Sequence, residues 1–524
     1  MSDTAAPTPA PETGSSWLRL AAEIAIVTAL SLVTFAKCLN AQFQFLTSDY
    51  DWLALAKYGN SELEPLKKTL TAYRSFAGAL FDGAYSVFGD QSGVSYRVTL
   101  LIIHIINSVL CGRLIARILR RPQAAWIAAA LFAIAPASSE AVHSIAAFVY
   151  PCITLILLLG LILYDQAIKK HGVFSYISLA IAFLCFGLAA LLREHWMTAL
   201  PLIVLLEIAN AKSFAVFKTK GPWIRFAPAI AGGAGFLIYR HFILGVSLVP
   251  AIPEYQFDSA MVSRLIVTLQ RLVLPPAPLD ITEYLHVHQA IGVVLIAGAV
   301  FAIIKGNSGD RWRAGVLFVA LFVALAPFLP VTGNHIRPRF AYFGTVFASG
   351  LAAYAICIIS ERMSPRLTIP IVLAMLVGLQ LEQQTEFERD YTISALESNA
   401  RIPSYKLAAE WVAKNDDIAF FVGDRQPSLV GIGSTFRVLT GVTRKQLIQI
   451  KVSNSQEFFQ KYDEIRARSK AKGVHRIFVR GADGYDYIRV AGLDEAIRHI
   501  FQTGVAEKKE LTILVLLPRP LEPK

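Results

Sequence analysis

Asp49 and Asp51 flank Tyr50 just past the first long apolar run, and carboxylates beside hydrocarbon are costly unless they are used. In an extended chain the i, i+2 spacing turns both side chains one way. There they can hold a divalent cation such as Mg or Mn through hard oxygens, or one can take a proton from a hydroxyl. The bland reading is a solvated loop at a helix end. Glu140, in Ser138-Ser139-Glu140-Ala141-Val142-His143, and Glu194, in Arg193-Glu194-His195-Trp196, stand at the ends of later apolar runs. Glu140 reads as a site group or a helix cap, and Glu194 as a site group, with His195 beside it, or as the ion-pair partner of Arg193. Arg337 and Arg339 flank Pro338 ahead of Phe340 and Tyr342. Guanidinium forks match phosphate oxygens, and a helix N-terminus adds a favourable dipole. Tyr73 and Arg74, with Lys67 and Lys68, place more positive charge in the first long loop. Basic residues at span ends also simply snorkel to headgroups. In a strand His286 and His288 would share one face and could bind a metal, but no nearby third ligand supports one there.

The elements that position these groups are set by composition. Hydrophobic residues make up 55% of the 524-residue chain and charged residues 17%, with a mean hydropathy of +0.50. That balance excludes an ordinary soluble protein and a disordered one. The net charge of +12 is not the footprint of a nucleic-acid binder, because Lys and Arg cluster between apolar runs, as in loops that meet anionic headgroups. Cys38, Cys111, Cys152, Cys185 and Cys357 all fall in or beside apolar runs, which favours packing over disulfides.

About eleven spans are expected, at 17–39, 96–118, 122–138, 147–166, 174–192, 196–210, 223–244, 289–305, 312–330, 339–360 and 367–381, with 262–274 a twelfth or a re-entrant helix. The short basic connectors, carrying Arg117, Arg120 and Arg121, Lys169 and Lys170, Lys212 to Arg225, Lys305 to Arg313, and Arg362 with Arg366, then share one side. The positive-inside rule makes that side cytoplasmic. The carboxylates and the Arg337–Arg339 pair fall on the other. Residues 1–16 read as a disordered cytoplasmic tail, 17–381 as the membrane domain with a long outside loop at 40–95, and Leu66 to Phe88 as an amphipathic stretch along the interface. From about 382 the chain turns polar. Strand-like runs at Ile418–Val422, Arg476–Val479 and Leu511–Leu517 alternate with helical patterns at Ser404–Lys414, Gln456–Lys470 and Leu493–Thr503, which makes 382–524 a small extracytoplasmic α/β domain. The fold class is mainly α: a polytopic helical domain with this α/β addition.

Taken together, these positions resemble the GT-C superfamily of membrane glycosyltransferases, in particular its protein mannosyltransferase-like branch with the TMTC proteins. The acidic Asp49-Tyr50-Asp51 follows the first span. Tyr73-Arg74-Ser75-Phe76 leads to Tyr96-Arg97 and His104-Ile105-Ile106-Asn107, similar to the branch's Y-R-P-L and H-x-x-N. Leu131 to Pro136 followed by Glu140-Ala141-Val142 resembles L-F-A-x-H-P-x-x-x-E-A-V. Arg193-Glu194 is similar to a K-E at a span end, and Arg337 to Tyr342 to E-R-Y-x-Y. The likeness covers residues 17–360. Ala135 stands in place of the family's His, Ser75 in place of its Pro, and the C-terminal part lacks helical repeats.

The resemblance implies transfer of one sugar from a polyprenyl-phosphate donor to a glycan, lipid or protein acceptor, with inversion. Asp49 or Asp51 would be the base, and Arg337, Arg339 and Arg74, with Tyr73 and Tyr342, would hold the donor. Glu140, Glu194 and His195 would position sugar or acceptor. A divalent cation at Asp49 and Asp51 stays open as a cofactor. The expected location is a bacterial inner membrane with the active face and C-terminal domain toward the periplasm. A flippase or transporter of lipid-linked glycan, an O-antigen ligase or polymerase, and a non-catalytic scaffold are the competing readings.

Overall fold

The structure, a computed structural model, describes residues 13–40, 45, 49–58, 64–90, 92–170, 172–243, 258–273, 308–330 and 338–362, together with five strands and some isolated positions. The chain divides into two compact units. One holds residues 1–37, 99–143 and 147–387; the other holds 38–98, 144–146 and 388–524.

The first unit is helical. Its elements are α1 (Thr13–Phe35), most of α4 (Val94–Leu119), α5 (Gln123–Ala133), α6 (Ser139–His143), α7 (Val149–Lys169), α8 (Val173–Leu192), α9 (Ala199–Ala211), α10 (Lys220–Ile238), α11 (Met261–Val273), α12 (Ser308–Leu325) and α13 (Gly344–Arg362). Among the described residues, five helices are long and apolar enough to cross a membrane, or six if the bent pair Gln123–Ala133 and Pro136–His143 is one span. A polytopic helical membrane protein is therefore the architecture. Close approach rests on small residues, as expected where lipid and side chains are equally apolar. A Cβ added at Gly112 of α4 would run into the carbonyl of Ala125 on α5, and one at Gly350 of α13 would come within 2.5 Å of Ile115 on α4.

Several expected spans differ from what forms. The run 122–138 is not one helix, because it ends at Ala133, turns by 53° around Pro136 and restarts as a one-turn helix. The span at 196–210 begins with a 3-10 turn, Glu194–Thr198, and leaves only thirteen α-helical residues in α9. The segment at 262–274 forms α11, thirteen residues long and too short to cross about 30 Å of hydrocarbon. The expected spans at 289–305 and 367–381 lie outside the described residues, apart from isolated positions.

One set of charged residues of the first unit gathers at helix ends. Arg225 clamps buried Glu207 through Nε and Nη2 at 2.6 and 2.8 Å, and the Tyr164 hydroxyl donates to the same carboxylate at 2.9 Å. Asp165 accepts from Lys169 at 2.8 Å and Asn210 at 3.1 Å, with Arg117 at 3.5 Å. Arg121 pairs with Glu361, and Arg313 donates to the Leu119 carbonyl at the end of α4. All these residues belong to the basic connectors or to the helix turns beside them. At 1.5 Å per residue, the opposite end of α7 is about 30 Å away, one hydrocarbon thickness.

The second unit contains α2 (Asp49–Tyr58), α3 (Glu64–Phe88) and a sheet of β1 (Ala419–Gly423), β2 (Leu447–Val452), β3 (Arg476–Arg480), β4 (Tyr487–Val490) and β5 (Leu511–Leu516). The strand order is β2-β5-β1-β3-β4. β1 and β3 run parallel with Ala419 opposite Arg476, while the other pairs are antiparallel. Three strands cover the three expected runs, and β2 and β4 are additional. The helical patterns at 404–414, 456–470 and 493–503 fall outside the described residues except at isolated positions. The amphipathic stretch 66–88 is helical, as α3. Aromatic rings hold α2 against it, with Trp52 at 5.5 Å from Phe81, and Phe81 stacked on Tyr96 at 5.7 Å. Gly89, at φ +66°, ends α3 in the left-handed region open to glycine, and its carbonyl accepts from the Tyr96 hydroxyl at 2.7 Å.

Gly112→Val is expected to lose about 1–3 kcal/mol of stability from overpacking. Gly232→Ala, where an added Cβ meets open space, is expected to be neutral or slightly stabilising. Thermal melting of the detergent-solubilised protein checks both.

Candidate functional site

The helix break after α5 organises one group of the sequence-derived residues, all within the first unit. Ending α5 at Ala133 leaves that residue's carbonyl without a helical donor. His104 Nε2 donates to it at 3.1 Å. A carbonyl only accepts, so the proton sits on Nε2, and Nδ1 must accept from the Tyr342 hydroxyl at 2.8 Å. The Asn107 amide donates to the Tyr342 oxygen at 3.3 Å and to the Pro151 carbonyl at 2.9 Å. Phe132 stacks on the imidazole at 5.4 Å and Phe35 meets it edge-on at 5.2 Å. Tyr342 is fully buried in this network, so it packs helices together and does not present its hydroxyl to a donor molecule.

Three residues before Tyr342, the turn Pro338–Ala341 carries Arg339. Its Nη1 lies 3.2 Å from Glu140 Oε1, and its backbone N–H donates to Glu140 Oε2 at 3.3 Å. Glu140 stands in the first turn of α6, just past the break. Two residues selected from distant parts of the sequence therefore meet. Arg193 joins them, its guanidinium carbon 4.5 Å above the Tyr150 ring and 5.6 Å from Phe340; Arg339 lies 5.8 Å from each of the same rings. Tyr150 has no place in the sequence reading, and Arg193 enters it as a partner for Glu194 and as the first residue of the Arg193-Glu194 motif. The available signal for both was position: Tyr150-Pro151 opens one span and Arg193 closes another.

His195 is completely buried. Its ring lies 4.4 Å from Phe328 and 5.6 Å from Tyr150. Neither ring nitrogen has a hydrogen-bond partner among the described residues. Buried polar atoms are normally satisfied, so an imidazole with both nitrogens unmet is the kind of group a ligand completes. The Glu194 side chain, Arg337, His286 and His288 lie outside the described residues; Tyr73 and Arg74 lie on α3 with their side chains outside them.

Asp49 belongs to the second unit and is fully buried. Its Oδ1 accepts from the Ala146 N–H at 2.8 Å and from the Ser144 hydroxyl at 3.4 Å. These bonds orient the carboxylate and also serve as capping of the turn Ile145–Ala147. The extended arrangement expected for Asp49 and Asp51 does not form. Both sit in the first turn of α2, where a 3.6-residue repeat sets i and i+2 about 200° apart. The shared cation site inferred from same-side carboxylates does not fit that geometry, and among the described residues no three His, Cys, Asp or Glu side chains form a metal-holding group. Between the two aspartates, Tyr50 is buried, and burial first, then the charges of Asp49 and Asp90, push its hydroxyl well above the usual tyrosine range.

No protein-family model matches the chain, and no curated protein does. Solved structures of the Archaeoglobus fulgidus oligosaccharyltransferase AglB resemble it at low identity. The complex with an inhibitory peptide and a dolichol-phosphate is 15% identical with a TM-score of 0.43, covering 81% of this chain and 60% of that one. The apo form is 14% identical with a TM-score of 0.41, covering 80% and 60%. The complex with Zn and sulfate is 15% identical with a TM-score of 0.40, covering 69% and 53%. This chain thus spans less than two thirds of the length of the chains it resembles.

Tyr342→Phe removes the donor to His104 Nδ1 and is expected to cost about 1 kcal/mol, the scale of hydrogen bonds between membrane helices; chemical denaturation in mixed micelles measures it. Alkaline stability probes Tyr50. With its folded pKa raised, the unfolded chain loses that proton first, so stability is full below about pH 10 and falls as pH rises beyond it. Tyr50→Phe is expected to make the alkaline side of the stability–pH profile shallower.

Proposed function

We propose that this protein is a membrane glycosyltransferase of GT-C type, which moves one sugar from a polyprenyl-phosphate donor to an acceptor hydroxyl on the side opposite its basic connectors. The observation that carries the reading is the gathering of Arg193, Arg339 and Glu140 around Tyr150 and Phe340, at the end of α7 remote from Lys169. Planar guanidiniums over aromatic faces suit a phosphate diester, because each fork offers paired N–H donors while the ring holds its plane. Apolar helices supply the environment a polyprenyl tail requires.

In this reading the acceptor oxygen attacks the anomeric carbon as the bond from that carbon to the phosphate oxygen breaks, inverting the centre. Asp49 or Asp51 takes the acceptor proton. Arg339 and Arg193, aided by Arg337 and Arg74, stabilise the negative charge developing on the leaving phosphate, which is where preorganised donors have the most effect. His195 donates to or accepts from a sugar hydroxyl through a nitrogen that packing leaves unmet. Glu194 does the same for sugar or acceptor, and Glu140 holds Arg339 in register. No step runs through a metal. The acceptor is a cell-surface glycan or lipid, and the location is a bacterial inner membrane with the active face toward the periplasm.

Purified protein incubated with a panel of polyprenyl-phosphate sugars is expected to release polyprenyl phosphate. Arg339→Met should lower kcat/KM by about 10²–10³-fold, as for loss of one charge-stabilising donor. Either Asp49→Asn or Asp51→Asn should lower kcat by at least about 10²-fold. Wild-type turnover in both aspartate variants rules out the assigned base, and transbilayer movement of labelled glycolipid without donor cleavage supports a flippase in its place.

A further inference from the structure

At the opposite end of the helices from Arg339, a groove of about 550 Å³ opens beside α9, the turn Phe214–Lys218 and α12. Its walls include Ile208 and Val319, its mouth carries Phe214, Trp312 and Arg311, and Gly315 faces it. The volume is that of a ligand site. Phe214 and Trp312 meet edge to face at 5.3 Å, and both are exposed. Such an aromatic pair at a span end belongs to the headgroup level of a bilayer. Arg311 is exposed, whereas Arg313 two residues on is buried against the Leu119 carbonyl. Exposed Lys212, Lys218 and Lys220 belong to the neighbouring connector, and among the described residues that line the groove none is a carboxylate.

We propose that this groove seats one anionic phospholipid, its phosphate at Arg311 and one acyl chain lying along Gly315 and Val319. Charge selects the occupant: Arg311, with the lysine-bearing connector in the adjoining sequence, favours an anionic headgroup over a zwitterionic one, while the apolar walls require an attached chain. Gly315 keeps the channel open, since an added Cβ there meets nothing within 4 Å. The site is independent of the sugar-transfer reading and lies on the other side of the hydrocarbon.

Native mass spectrometry of the full-length protein in detergent, titrated with phosphatidylglycerol and phosphatidylcholine of matched chains, tests it. The wild type is expected to retain one phosphatidylglycerol with about fivefold preference over phosphatidylcholine, the effect of one basic residue near an anionic headgroup. Arg311→Glu should abolish the preference, and Gly315→Leu, which fills the groove while favouring helix, should abolish retention. Gly187→Leu, another helical glycine whose side chain would meet open space, should bind as wild type. Equal binding of the two lipids by wild type, undiminished retention in Gly315→Leu, or equal loss in Gly187→Leu overturns the proposal.

Discussion

A main-chain carbonyl without a donor costs several kcal/mol in hydrocarbon, and the α5 break creates one at Ala133. His104 removes that cost, and the bond has consequences beyond the carbonyl. It fixes the imidazole tautomer, which obliges Tyr342 to donate to Nδ1, and Asn107 closes the chain onto Pro151 at the start of α7. Tyr342 follows directly on the turn that holds Arg339, so the same network sets where that guanidinium stands. Glu140 stands at the restart of the broken helix and meets both the side chain and the backbone of Arg339. The break therefore places the acidic group and the basic group together, and the polar chain behind them keeps both from drifting.

The opposite ends of the helices solve a different problem. Glu207 and Asp165 are almost wholly buried, and a buried carboxylate is tolerable only when its oxygens are met by cations and hydrogen bonds. Arg225 and Tyr164 meet the first, Lys169, Asn210 and Arg117 the second. These pairs tie α4, α7, α9 and α10 together at the end where the basic connectors lie. One end of the first unit is locked by neutralised charge. The other presents guanidiniums over aromatic rings beside an imidazole whose nitrogens await partners. That asymmetry is the physical basis for placing chemistry at one side.

Apolar run length was enough to locate α4, α7 and α8, and β-branched and aromatic runs located β1, β3 and β5, because each element's own residues dictate it. The interruptions were harder to read. Pro136 is a helix-stop signal, yet the run around it is as apolar as any span, and the break depends on His104 from another helix to satisfy it. The i, i+2 spacing of Asp49 and Asp51 puts them on one side only in an extended chain, whereas aspartates at the head of Trp52-Leu53-Ala54-Leu55-Ala56 are an ordinary first-turn signal. Glu140 and Arg339 were each visible as charges at span ends, but their pairing across 199 residues is a tertiary fact. His104 and Asn107 stand out in the sequence as a motif, whereas their bonding depends on the bend in α5.

The most direct test is a cryo-electron microscopy structure of the protein with bound polyprenyl phosphate in lipid nanodiscs. Phosphate density within hydrogen-bonding distance of Arg339 and Arg193, with the broken helix intact and Glu140 beside Arg339, is the expected result. Phosphate density at the Arg117–Lys169 end, or a site in which Glu140 and Arg339 point to separate apolar surroundings, contradicts it.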